Sequence, residues 1–192
     1  TIPLDYEIGL DITPGSNIVG DWAAIVHFTA TGTNCCDYGS RIPGVWFWPG
    51  TRKILVVDGH GANGNSHTGE WNCDDSILTI AEGATSRLTM KMEADIVNIY
   101  VDGNWACDAA RADRQIWNNV QVWAADPWYA AADATIGGLY LSALNAVEEC
   151  DGENMSLDWT GGFHESGHNV FDNTNRIHNA NDYVNAQIAI AD

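Results

Sequence analysis

The chain has 192 residues, enough for one domain of ordinary size, and its 26 acidic against 8 basic side chains give a net charge of −18. This excess of carboxylates repels nucleic-acid phosphates and anionic lipids, so nucleic acid is not an expected partner. No apolar run reaches the length of a membrane-spanning helix, so membrane insertion is not expected either.

Short segments with the period of a β-strand follow one another along residues 1–144. The first alternates apolar residues with polar or small ones, and its apolar positions are Ile2, Leu4, Tyr6, Ile8, Leu10 and Ile12. The others, bounded by Gly, Pro, Asp or Asn, are AAIVHFTA, PGVWFWPG, RKILVVDG, SILTIAEG, SRLTMKM, IVNIYVDG, NVQVWAAD and ATIGGLYLSAL. Amphipathic helices, which a parallel α/β fold needs between its strands, are missing. The pattern predicts an all-β chain folded as an antiparallel β-sandwich.

The C-terminal part of the chain has a different character. Residues 145–182 are polar and turn-rich, and the chain then ends in an alternating segment with apolar positions Val184, Ala186, Ile188 and Ile190. We expect an irregular extension over residues 145–192 that ends in a β-strand. A terminal strand can pair with a neighbouring subunit through main-chain hydrogen bonds, and the N-terminal segment offers the same opportunity. The two ends predict head-to-tail self-association into a filament, unless both simply complete their own sheet.

The cysteines and one glycosylation sequon indicate an extracellular protein. The chain has an odd number of cysteines, Cys35, Cys36, Cys73, Cys107 and Cys150, and their spacing does not pair ligands for zinc. Asn154 begins the sequon Asn-Met-Ser, which is used only in secreted proteins. We therefore expect one or two disulfides, with connectivity left open, and expect the unpaired cysteine to be Cys35 or Cys36.

Two long segments resemble a known family. SRLTMKMEADIVNIYVDG and NNVQVWAADPWYAAADATIGGLYL resemble the second half of a laminin G-like domain, a member of the concanavalin A-like lectin and glucanase superfamily. The upstream segments HFTATG and DYGSRIPGVWFWPGTRKILVV are similar to the earlier strands of that family. The resemblance covers residues 1–144 and implies a jelly-roll β-sandwich followed by the extension. The superfamily contains both enzymes and binding proteins.

The resemblance also implies a cofactor, because calcium is a recurrent ligand at the rim of these domains. Aspartates in turns can join backbone carbonyls as calcium ligands. The candidates are Asp37, Asp74, Asp75, Asp126 and Asp133. No organic cofactor is expected.

One segment comes close to the catalytic motif of jelly-roll β-glucanases. These enzymes carry Glu-x-Asp-x-x-Glu on one strand, which places nucleophile, helper and general acid on the same face. Here Glu93 and Asp95 match the first two positions, but Asn98 stands at the third and cannot protonate a leaving group. Glu93 and Asp95 are better interpreted as part of a hairpin turn. We expect no glycosidase activity.

A second segment, FHESGH, has the His-Glu-x-x-His spacing of zinc proteases at His164 and His168. That motif requires a helix, whereas two glycines precede it here and Gly167 lies inside it. Residues 145–192 are also too few to build a protease domain. We expect no proteolysis, and a zinc-binding role for the two histidines is a remote alternative.

Nine tryptophans raise the alternative of carbohydrate binding, because a flat indole stacks on the apolar face of a sugar ring. Trp46 and Trp48 alternate with apolar neighbours, which predicts burial between two layers. The loop around Pro127 is a better location for an exposed platform. The candidate sugar-binding residues are Trp123, Trp128 and Tyr129.

The sequence predicts a non-catalytic extracellular structural or adhesive module, a self-assembling subunit of a larger assembly. Its expected partners are other copies of the chain, glycans or other extracellular proteins. The alternative function is that of a lectin-like module with glycan bound at the rim of the sandwich.

Overall fold

The computed structural model describes residues 1–59, 66–111 and 113–144, which form two packed β-sheets. These residues contain eleven strands: β1 (Tyr6–Pro14), β2 (Ala23–Thr29), β3 (Gly44–Phe47), β4 (Ile54–Asp58), β5 (Ser66–His67), β6 (Ser86–Glu93), β7 (Ile96–Val101), β8 (Asn104–Ala110), β9 (Gln121–Ala124), β10 (Ala130–Ala131) and β11 (Ala134–Ala143). They also contain one helical turn, α1 (Asp75–Leu78). The predicted all-β sandwich is confirmed. Within the described ranges, no helix has the length and apolar character needed to cross a membrane.

The two sheets differ in connectivity. The first has the antiparallel order β11-β1-β6-β7-β8, and the second has the order β10-β2-β3-β4-β5, with β9 also paired to β2. Within the second sheet, β10 runs parallel to β2, while the other pairs are antiparallel. The strands of each sheet are thus drawn from distant parts of the sequence.

The main core lies between the sheets and follows from the alternation in the sequence. On β6, burial alternates along the strand, so that Leu88, Met90 and Met92 point inward. Val45 and Phe47 of β3 contribute to the same core from the second sheet. Each such side chain contributes about 1.5–3 kcal/mol when it is fully removed from water.

The second sheet is apolar on its outer face as well. Opposite the main core, Trp46 packs with Ala24, Leu55 and Val57 in a second buried cluster. Among the described residues, partly buried aromatic side chains pack against this cluster, namely Trp22, Trp48 and Tyr129. Burial of Trp46 is confirmed, and among the described residues it lies in this outer cluster and not in the core between the two sheets.

The N-terminal segment forms a regular strand that begins later than predicted. Its regular strand begins at Tyr6, while Ile2 forms an isolated bridge with Trp117 and Leu4 is exposed. β1 pairs with β11 on one side and with β6 on the other. Both edges of β1 are therefore occupied within the chain, as in the alternative that this end completes its own sheet, and pairing of the N-terminal segment with a neighbour stays a prediction. The C-terminal segment, Val184 to Ile190, lies outside the described residues, and its role in assembly stays a prediction.

The segment SILTIAEG forms a helical turn where a strand was predicted. The Asp74 carboxylate accepts hydrogen bonds from the backbone N–H and the hydroxyl of Ser76, at 2.9 and 2.6 Å, and caps α1. Such a cap satisfies an N–H group that the first turn of a helix leaves unpaired. The local hydrogen bond therefore outweighs the β-propensity of the isoleucines in this segment.

Four cysteines form two disulfides. Cys73, just before α1, is bonded to Cys107 of β8, and Cys35 is bonded to Cys36. The expectation that Cys35 or Cys36 is unpaired is therefore wrong, because each is the partner of the other. By count the odd cysteine is then Cys150, which lies outside the described residues.

Removal of the Cys73–Cys107 disulfide is expected to destabilise the fold. The bond closes a loop with a sequence separation of 34, and breaking it restores that loop's entropy to the unfolded chain. The double variant Cys73→Ala, Cys107→Ala should lose about 2–4 kcal/mol of unfolding free energy in urea denaturation. As a matched control, Cys35→Ser with Cys36→Ser removes a bond between adjacent residues and should cost far less. Equal losses in the two double variants would contradict the loop-closure explanation.

Candidate functional site

The outer face of the second sheet carries a pocket of about 220 Å³, which we call the aromatic pocket. Its floor consists of Trp46 from β3 with Leu55 and Val57 from β4. Trp46 and Leu55 are paired in register. The indole lies over Gly44, where a Cβ atom would overlap with the ring. Glycine at this position therefore allows Trp46 to lie along the sheet and form a flat floor.

Aromatic side chains also form part of the pocket wall. Trp22 lines the pocket and contacts Trp48, with ring centroids 4.9 Å apart. Tyr129 stands edge-on to Trp46 at 6.0 Å. Flat rings thus surround the pocket on more than one side.

Arg41 forms another part of the wall and connects it to a loop. Its guanidinium lies over the Trp46 ring, 4.9 Å from the centroid, in a cation–π contact. Its Nε donates to the carbonyl of Asn34 at 2.8 Å, and Nη2 donates to the Asn34 side-chain oxygen at 3.1 Å. Burial lowers the pKa of Arg41, but that pKa starts so high that the side chain stays charged at neutral pH. Arg41 therefore positions Asn34 and, next to it, Cys35 of the pocket wall.

His67, from β5, completes the wall. Its Nδ1 accepts a hydrogen bond from the Gly69 N–H at 3.1 Å, and its Nε2 lies 3.6 Å from a Glu70 carboxylate oxygen. The imidazole also meets the Trp48 ring edge-on. The wall thus combines aromatic surface with groups that can donate or accept hydrogen bonds.

A buried carboxylate organises the site from behind. Asp126 Oδ2 accepts from Trp46 Nε1 at 3.2 Å and from His27 Nδ1 at 3.1 Å. Its Oδ1 accepts from the backbone N–H groups of Trp128 and Tyr129, both at 3.0 Å. One side chain therefore fixes the pocket floor and the loop that carries Tyr129.

The three predicted sugar-binding residues lie together beside the pocket. Tyr129 lines it, Trp128 is its neighbour in the loop, and Trp123 contacts Trp128 at 6.4 Å between ring centroids. Trp22, Arg41 and His67 were not predicted as binding residues, and Trp46 was predicted to be buried. The sequence VWFW indicates that both faces of this strand are apolar. It does not indicate that aromatic side chains from loops pack on the outer face, because that depends on the tertiary structure.

The five predicted calcium ligands are not brought together. Asp126 is buried under Trp46, and Asp74 caps α1. Asp75 binds a lysine ammonium at 2.6 Å, Asp133 accepts from a backbone N–H at 2.8 Å, and Asp37 lies in an exposed bend. In the part of the chain that the structure describes, no group of three or more His, Cys, Asp or Glu residues could hold a metal ion. Calcium binding stays a prediction, without a site among these residues.

The glucanase-like segment forms a hairpin on the other sheet. Glu93 ends β6 and pairs with Lys91 at 2.8 Å. Ala94 and Asp95 form the turn with positive φ angles of 49° and 64°, and Asp95 binds Arg114. These carboxylates do not share a strand face as the glucanase motif requires. The predicted hairpin is confirmed with Asp95 in its turn, whereas Glu93 lies at the end of β6 and not in the turn. The remaining predicted sites, His164, His168, Asn154 and Cys150, lie outside the described residues.

No protein-family model and no curated protein sequence matches the chain. Similar solved structures include the binding domain of botulinum neurotoxin serotype G, with a TM-score of 0.45 and 12% identity over 69% of this chain and 31% of that one. Sheep galectin-11 in complex with glycerol has a TM-score of 0.41 and 12% identity over 73% of this chain and 92% of that one. The carbohydrate-binding module CBM66 from Bacillus subtilis has a TM-score of 0.35 and 15% identity, with coverages of 63% and 68%. Such distant similarity carries no information on function.

Proposed function

We propose that the chain is an extracellular glycan-binding module and that the aromatic pocket is its sugar site. The observation that carries this proposal is the meeting of aromatic rings and polar side chains in one pocket on the outer face of a sheet. A sugar ring has an apolar face of C–H groups and a rim of hydroxyl groups. Aromatic rings bind the first, and hydrogen-bonding side chains bind the second.

The individual residues suit these two tasks. Trp22 and Tyr129 offer ring surface on the pocket wall, above the Trp46 floor. The Tyr129 hydroxyl lies 3.4 Å from both Arg41 Nη2 and Asn34 Nδ2, so polar groups converge at one side of the pocket. This arrangement supports recognition of a ring that presents hydroxyl groups along its edge.

The rigidity of the site also supports a binding role. Asp126 holds both the floor and the Tyr129 loop through four hydrogen bonds, so little conformational freedom remains to be lost on binding. A pre-organised site retains more of its interaction energy as affinity. The geometry thus favours specific binding at this pocket over non-specific contact.

We propose binding without catalysis. Among the described residues, none that lines the pocket is an aspartate or glutamate, the residues that most glycosidases use as acid and nucleophile. The Cys73–Cys107 disulfide supports the extracellular location, because such bonds persist mainly in oxidising compartments. An adhesive role remains compatible with glycan binding.

Substitution of Trp22 by alanine is expected to abolish glycan binding. A glycan array probed with the purified chain should show selective binding, and Trp22→Ala should weaken it by more than about tenfold, as for a central aromatic contact residue. The matched control is Trp105→Ala, which removes an indole that is 50% exposed on β8 of the first sheet, away from the pocket. A chain that binds no glycan selectively, or a Trp22→Ala variant that binds like wild type, would contradict the proposal.

A further inference from the structure

Trp128 presents a partly exposed indole near the aromatic pocket and is the sequence neighbour of Tyr129 in the pocket wall. It exposes 37% of its surface, although it is a large aromatic residue. Its ring lies 5.3 Å from that of His27, which in turn lies 5.4 Å from Trp46 on the pocket floor. One buried imidazole therefore separates the exposed indole from the floor of the pocket.

The position of Trp128 is fixed relative to the pocket wall. Its backbone N–H and that of Tyr129 donate to the same oxygen of Asp126, each at 3.0 Å. Trp123 packs against it edge-on at 6.4 Å and supports the ring from the side. The backbone of Trp128 is thus held by a buried carboxylate and its ring packs against a second indole, so the exposed part of the ring has a defined position.

The size of the aromatic pocket indicates a role for the exposed indole of Trp128. Pockets that enclose whole drug-sized ligands have volumes of about 300–1,000 Å³. At about 220 Å³, the aromatic pocket is smaller than these. A sugar unit bound in the pocket would thus have its linked neighbours outside, where Trp128 adjoins Tyr129.

We infer that Trp128 forms a second sugar subsite and that the ligand is a linear oligosaccharide that spans it and the aromatic pocket. This inference rests on the proposed function, since it assumes that the pocket binds a sugar unit. One unit occupies the pocket between Trp22 and Tyr129, and a following unit stacks on the indole of Trp128. Stacking tolerates different sugars because it uses the C–H face that they share. The pocket therefore selects the sugar, and Trp128 adds affinity for longer chains.

The test is a calorimetric titration of oligosaccharides of increasing length. The probes are β-linked oligomers of glucose, mannose and xylose, oligomers of galacturonate, and any further series that the glycan array identifies, each from monosaccharide to hexasaccharide. The affinity of the wild-type chain is expected to rise with length. Trp128→Ala should remove that rise, binding the hexasaccharide about tenfold more weakly, while leaving monosaccharide binding unchanged. Trp128→Phe keeps a ring for stacking and should retain most of the rise, and Trp105→Ala should behave as wild type.

The outcomes separate this inference from the proposed function. If Trp128→Ala matches wild type at every length while Trp22→Ala loses binding, the second subsite is overturned and the pocket stands. An affinity that does not increase beyond the monosaccharide also overturns the second subsite. If no series binds, both the inference and the proposed function are overturned.

Discussion

Substitution of Asp126 by alanine is expected to lower the free energy of unfolding by about 3–5 kcal/mol, because several buried donors lose their acceptor at once. Asp126 is buried and accepts from the side chains of Trp46 and His27 and from the backbone of Trp128 and Tyr129. A buried N–H group without a partner retains the full cost of its lost hydration. The same substitution removes the support of the pocket floor, so sugar binding should be lost with it.

The Asp126 prediction is measured by urea denaturation followed by tryptophan fluorescence. Asp126→Asn keeps the shape and one acceptor oxygen, so it should cost less than Asp126→Ala. As a matched control, Asp37→Ala removes a carboxylate from an exposed bend and should stay within about 0.5 kcal/mol of wild type. If Asp126→Ala were as stable as Asp37→Ala, the organising role of Asp126 would be refuted.

The second large loss of stability is expected when an ion pair that joins the two sheets is broken. Arg111, directly after β8, donates from Nε to Asp58, the last residue of β4, at 2.8 Å. The two side chains are 7% and 0% exposed. The guanidinium also donates to the Ser66 hydroxyl at 3.1 Å and lies 4.7 Å from the Trp71 ring centroid. Arg111→Ala should cost about 3–5 kcal/mol, because it leaves the buried Asp58 carboxylate without this counter-charge.

A double variant shows whether Arg111→Ala loses stability because a buried charge is left unpaired or because packing is lost. Adding Asp58→Asn to Arg111→Ala removes the buried charge and should recover part of the lost stability. The control is Arg87→Ala, since Arg87 pairs with Asp11 at 2.6 Å but the two side chains are 37% and 34% exposed. Such a pair is expected to contribute about 1 kcal/mol or less. If Arg87→Ala lowered the free energy of unfolding as much as Arg111→Ala, burial would not explain the large contribution of the Arg111–Asp58 pair.

The regular strands could be predicted because their burial follows a period of two. On β6, inward Leu88, Met90 and Met92 alternate with partly exposed residues, as the sequence pattern requires. β8 was missed because it is an edge strand whose pattern is weak, with Trp105 exposed. The turn at α1 was missed because the Asp74 cap is a local hydrogen bond that β-propensity does not reflect.

The site could be predicted only in part, for physical reasons. Trp128 and Tyr129 were identified because aromatic residues cluster in a loop around a proline. Asp126 was interpreted as a calcium ligand, since an acid in a turn is usually exposed, and only tertiary packing places it under Trp46. The pocket also unites residues 22, 41, 67 and 129, which the strand order of the second sheet brings together. Sequence patterns determine which face is apolar but not what covers that face.

The most direct test of sugar binding at the aromatic pocket is to follow the indole N–H resonances of the nitrogen-15-labelled chain during titration with the oligosaccharide selected on the glycan array. Each tryptophan contributes one such resonance, and those of Trp22 and Trp46 report on the pocket. We expect these two to shift in a saturable manner while that of Trp105, on the first sheet, stays in place. Saturable shifts of Trp105 with unchanged resonances of Trp22 and Trp46 would contradict the assignment of the pocket as the sugar site.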